Sequence, residues 1–94
     1  MVMVWVGEAV STAKAAELVN MMVESIGASS DSGFSNVRKI VIPQGYHNHE
    51  VYQVDGQGGK HYFYISKRSQ DKVIWLTVAA ADADSYLRTA INTF

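Results

Sequence analysis

The stretch that decides the fold reads HYFYIS at residues 61–66 and KVIWLTV at residues 72–78. β-branched and aromatic residues dominate both runs, and the short polar segment between them is typical of the loop of an antiparallel hairpin. Both faces of this hairpin are apolar. A sheet built on it therefore needs a cover on each side, either from its own helices or from a partner.

The register of the hairpin decides which side chains share a face. If residues 68–71 form the whole loop, Tyr64 pairs with Trp75, and Tyr62 lies on the same face. The sequence therefore predicts an aromatic face formed by Tyr62, Tyr64 and Trp75, opposite an aliphatic face. A slip of one residue would exchange the two faces.

Three interpretations of this aromatic face stay open at the level of sequence. Two amphipathic helices could cover the two faces of the sheet, which is the favoured interpretation. The face could also be a homodimer interface, for which buried aromatic side chains are typical anchors. A groove for a ligand or a peptide is the third. If the face is a homodimer interface or a groove, Tyr62, Tyr64 and Trp75 are the residues to test.

Local patterns on either side of the hairpin predict the remaining elements. Each predicted helix has an apolar stripe at spacings of three and four. The stripes are Ala15, Leu18, Val19, Met22 and Ile26 in the first helix, and Leu87, Ala90, Ile91 and Phe94 in the last. The predicted order is β-α-β-β-β-β-α, from a strand at 2–6, a helix capped by Ser11 or Thr12, strands at 37–42 and 49–54, the hairpin, and a helix capped by Asp82 or Asp84. This order predicts an α+β domain with an antiparallel sheet of about five strands and two helices.

Length and composition limit the possible functions. The 94 residues suit one domain, residues 1–94, and the net charge of −1 argues against a nucleic-acid partner. The chain has no cysteine, which excludes disulfides and thiolate metal sites. The apolar start is too short for a membrane span and lacks the basic region of a signal peptide. We expect a soluble cytoplasmic domain without a cofactor, with an exported protein whose signal has been removed as the alternative.

A histidine pair is the best candidate for metal chemistry. His47 and His49 project to the same side of an extended segment, and such a pair can bind zinc or copper. His61, on the next predicted strand, could supply a third nitrogen. However, the chain has only three histidines, and the pair follows Gly45 in a predicted turn. Ordinary surface histidines are the favoured interpretation.

The stretch HYFYISKRSQDKVIWLTVAA, followed by a short helix ending in INTF, resembles the end of PsbP- and DcrB-like proteins. This fold group also includes a Ran-binding nuclear import factor, and the element order of most of the chain is similar to it. The amino-terminal strands and the Pro-Gly-Trp-like opening of the group are missing here. The resemblance implies an antiparallel sheet with helices on both faces, and binding without catalysis. It transfers no site residues.

No stretch of the chain has a catalytic signature, since none of its serines lies in a G-x-S-x-G motif. The sequence therefore favours a noncatalytic binding or assembly protein, a small accessory or chaperone-like domain. Its contact surface would be the aromatic face or a sheet edge, and its partner a second copy or another protein. The alternative is a small-ligand-binding protein or enzyme with a pocket between sheet and helix near His47, His49 and His61.

Overall fold

The computed structural model describes residues 2–28, 34–44, 47–67 and 69–94. Its two helices are α1 (Thr12–Ala28) and α2 (Ala83–Thr93). Its five strands are β1 (Val2–Glu8), β2 (Phe34–Gln44), β3 (His47–Gly56), β4 (Lys60–Ile65) and β5 (Lys72–Val78). The predicted α+β class and the order β-α-β-β-β-β-α are confirmed.

All five strands belong to one antiparallel sheet with the spatial order β1-β5-β4-β3-β2. The first strand lies beside the last, so β1 and β2 are the two edges. Alternate side chains of β4 and β5 enter two separate cores, one on each face of the sheet. The core under α2 contains Tyr62, Tyr64, Ile74, Leu76, Val78, Ala83, Leu87, Ala90 and Ile91, with Ile42 and Val51. The core under α1 contains Ala15, Val19, Val54, Phe63 and Val73.

The predicted register of the β4–β5 hairpin is wrong by one residue. Tyr64 lies opposite Ile74 and Phe63 lies opposite Trp75. Ser66 explains the difference, because its backbone N–H donates to the Lys72 carbonyl at 2.9 Å and so continues the pairing by one step. Lys72 is thus paired with Ser66 rather than with residue 67. Because side chains alternate, the shift places Trp75 on the face opposite Tyr62 and Tyr64.

The apolar stripes of the helices are buried largely as predicted. The α2 stripe is confirmed, and Ala15 and Val19 of α1 are buried against the sheet. Leu18 is the exception, since 37% of it is exposed on the flank of α1. Ser11 caps α1 by accepting a hydrogen bond from the Lys14 N–H at 3.2 Å, as predicted.

The β3–β4 turn contains glycine at a position where no other residue fits. Gly59 has a φ of +135°, and a Cβ there would lie 2.3 Å from the Val78 carbonyl oxygen. This close approach brings β4 directly against the end of β5, which fixes where the hairpin pairing begins.

Candidate binding surfaces of the sheet

The predicted aromatic face is not a single surface. Tyr62 and Tyr64 are 1% and 3% exposed and pack under α2, so they belong to the core of the chain. Of the three interpretations, the intramolecular one fits these two residues. Burial raises the pKa of Tyr64 to about 12, and burial together with the charge of Asp84 raises the pKa of Tyr62.

Trp75 lies instead in a row of four aromatic residues on the α1 face. The row crosses four strands, and each member lies directly opposite the next: Trp5, Trp75, Phe63 and Tyr52. Phe63 stacks on Trp75 with a centroid distance of 5.6 Å and on Tyr52 with 5.1 Å. Helix α1 covers the inner part of the row, whereas Trp5 at its outer end is 63% exposed. This row could be predicted from the sequence only if the strand order were already known.

His61 is a buried structural residue beside this row. Its Nε2 lies 2.9 Å from the Gln57 carbonyl oxygen, which can only accept, so Nε2 carries the proton. Its Nδ1 lies 2.9 Å from the Thr77 hydroxyl, and the Trp75 indole N–H donates to that hydroxyl at 3.0 Å. Both ring nitrogens are occupied by partners within the chain.

The three histidines do not come together as a metal site. His49 pairs with Ile42 and so lies on the α2 face, whereas His61 lies on the α1 face beside Phe34 and Trp75. The predicted third nitrogen is therefore on the wrong side of the sheet. The side chain of His47 lies outside the described part of the structure. Among the described residues, no group of three His, Asp or Glu side chains could hold a metal ion.

The edge strand β1 exposes apolar side chains on both of its faces. On the α2 face, Val2, Val4 and Val6 are 40%, 36% and 52% exposed. On the α1 face, Met3 is 41% exposed and lies next to Trp5. No charged residue occurs between positions 2 and 7. On the outer side of this edge, no described strand pairs with the backbone donors and acceptors of β1, which makes it a template for pairing with another strand.

An apolar groove lies between α1 and the sheet on the α1 face. It has a volume of about 390 Å³. Its walls combine the exposed flank of α1, at Leu18 and Met21, with Trp75 of the sheet. Trp75 is also the cross-strand neighbour of Trp5 on β1.

A second cavity lies in the fork where β3 separates from β4. Pairing between these strands is confined to residues 52–54 and 61–63, and the cavity of about 560 Å³ opens beyond it. Its walls include Tyr64 and His49 from the α2 face of the sheet and Tyr52 from the α1 face. Residues of α1 also line the cavity. The Tyr64 hydroxyl is buried and has no hydrogen-bond partner among the described residues. Such an atom has a desolvation cost that a bound polar group could offset.

Comparison of the chain with protein-family models, curated proteins and solved structures gave no match. Within the described ranges, neither helix has the length and apolar character needed to cross a membrane.

Proposed function

We propose that this chain is a noncatalytic binding or assembly protein, a small accessory or chaperone-like domain that associates through the free edge of β1. One observation carries the proposal. Five consecutive apolar residues of an edge strand, from Val2 to Val6, are each at least 36% exposed. Soluble monomers usually blunt such an edge with charges, proline or a covering element. A homodimer is the expected assembly, and the cytoplasm is the expected compartment.

The fold of the chain agrees with a place among PsbP- and DcrB-like proteins, and we retain that kinship as part of the proposal. An antiparallel sheet with one helix on each face is what the resemblance implies. Architecture alone does not determine activity, so the functional argument rests on β1 rather than on the fold group.

The proposal is tested by measuring the solution mass over a dilution series. We expect a mass above the 10.4 kDa of one chain, falling toward it on dilution. Val6→Lys should shift the protein to the monomer, because a buried unpaired ammonium opposes strand pairing. Val41→Lys is the matched control, since Val41 is 54% exposed on the opposite edge strand and Val6 is 52% exposed. A mass of one chain at all concentrations, or equal effects of both variants, would contradict the proposal.

The cavity in the β3–β4 fork supports a second candidate, a small-ligand-binding protein. Its volume is within the usual range for small-molecule sites, and it combines apolar walls with polar groups at Asn20, Ser66 and Gln70. A panel of small carboxylates, amines and amino acids would raise the melting temperature if one of them binds. Ala16→Leu, which fills the cavity wall, should abolish that shift. Ala13→Leu, an exposed substitution on the same helix outside the wall, should retain it.

A further inference from the structure

We infer that the occupant of the β1 edge is a second copy of β1, paired antiparallel around a twofold axis that passes through Val4. The inference rests on the proposed function and adds the register of the contact. It would join the two five-stranded sheets into one continuous sheet of ten strands.

The side chains of β1 on the α2 face are self-complementary in this register. With Val4 opposite Val4 of the second copy, Val2 lies opposite Val6 and Val6 opposite Val2. Every contact on that face is then a valine pair, and β-branched pairs are favourable across neighbouring strands. The alternating Val-x-Val-x-Val pattern of residues 2–6 is symmetric about its centre.

The α1 face is self-complementary in the same register. Met3 lies opposite Trp5 of the second copy, and Trp5 lies opposite its Met3. Contacts between a thioether sulfur and an aromatic ring are favourable, and both side chains are exposed in the single chain. Each aromatic row of four would then end against Met3 of the other copy.

The symmetric register with its axis through Trp5 is worse because of charge. If the twofold axis passed through Trp5, Glu8 would lie opposite Val2 of the second copy, and Met3 would lose its aromatic contact. In the register centred on Val4, Glu8 lies outside the paired block of residues 2–6. The only charge of β1 therefore remains in solvent.

The helices leave space for this pairing. Helix α2 packs on β5. In the dimer, the two β5 strands would be separated by three strand spacings, or about 14 Å. Packed helices need only about 8–10 Å between their axes, so the α2 helices of the two copies would not clash.

Single cysteines test the register, because the natural chain has none. In a glutathione redox buffer, Val4→Cys should form a covalent dimer, since directly opposite residues have Cα distances suited to a disulfide. Val2→Cys alone should remain uncrosslinked. A mixture of Val2→Cys and Val6→Cys should give the mixed dimer, identified by its mass. Val41→Cys, exposed on β2, measures the background of random collision.

The outcomes separate the inference from the proposed function. Two results would overturn the register and leave the β1 edge as the contact surface of a dimer that is sensitive to Val6→Lys. One is a Val2→Cys protein that crosslinks to itself. The other is a Val4→Cys protein that crosslinks no more than Val41→Cys. A protein that is monomeric at every concentration would overturn both. Crosslinking of Val4→Cys well above the Val41→Cys background, together with the mixed dimer, supports the inference.

Discussion

The two edges of the sheet differ in whether they carry features that prevent pairing with a further strand. Edge β2 carries Arg38 and Lys39, whose side chains pair with Asp55 and Glu50 of β3 at 2.9 and 3.2 Å. It also has a bulge between Ser35 and Arg38, and Pro43 near its end. Charges, bulges and proline are the usual means of preventing edge-to-edge pairing. Edge β1 has none of these between residues 2 and 7, so the chain protects one edge and leaves the other open.

If the two edges differ in this way, the exposed residues of β1 contribute to association rather than to the stability of the single chain. The aromatic row tests this. Phe63→Ala, at the buried centre of the row, should lower the free energy of unfolding by about 3–5 kcal/mol. Trp5→Ala, at the exposed end, should change it by about 0.5 kcal/mol or less.

Both values should be measured by urea unfolding in the Val6→Lys background, so that association does not contribute to stability. A loss in Trp5→Ala as large as that in Phe63→Ala would mean that β1 is part of the fold and would weaken the contrast between the edges.

Removing protection from β2 should make the two edges more alike. Lys39→Val breaks the ion pair with Glu50, and a dimer joined at β1 would then have two less protected outer edges. We expect assemblies larger than the dimer, detected by light scattering at high concentration. The stability of the single chain should change by less than about 1 kcal/mol, because the pair is exposed.

Lys14→Val is the matched control for that experiment, since Lys14 forms a comparable exposed ion pair with Glu17 on α1. If both variants assemble equally, the loss of surface charge, rather than the opening of β2, is the cause.

The smallest expected effect concerns the pH dependence of β2. Hydrogen bonds from Arg38 and Asn36 lower the pKa of Asp55 below its ordinary value of 3.8. Ionised Asp55 therefore stabilises the folded chain above that pH, and the contribution is lost as the pH falls through the folded pKa. The melting temperature should fall between pH 6 and pH 2, and this fall should be slightly smaller in Asp55→Asn than in the natural chain. An unchanged difference would show that this cluster does not help to hold the β2 edge.

Local signals were sufficient to predict the elements of the fold but not their arrangement. The N-cap at Ser11 and the stripe of Leu87, Ala90 and Ile91 are properties of neighbouring residues, and they predicted both helices. The hairpin register depends on a connection one residue longer than predicted, in which Ser66 pairs with Lys72, and no residue pattern specifies that length. One more unpaired residue was enough to move Trp75 to the opposite face.

The sequence did not locate the candidate binding surface. A sheet edge was one of the two predicted contact surfaces, but the aromatic residues that the sequence favoured are divided between two cores. The exposure of β1 follows from strand order, because Trp5 pairs with Trp75 only if the first strand lies beside the last. A single sequence contains little information about pairing between distant segments. The Val-x-Val-x-Val alternation indicates that residues 2–6 form a strand, but it does not indicate the partner of that strand.

The position of β1 beside β5 also affects the order in which the chain can fold. Trp5 pairs with Trp75, seventy residues later, whereas the β2–β3 and β4–β5 hairpins join neighbouring segments. Closing so long a loop has a high entropic cost, so we expect the hairpins to form first and β1 to dock last. During synthesis, this apolar strand emerges long before its partner strand exists. Until β5 arrives, β1 has two unpaired edges instead of one, which makes this interval the time of greatest risk for aggregation.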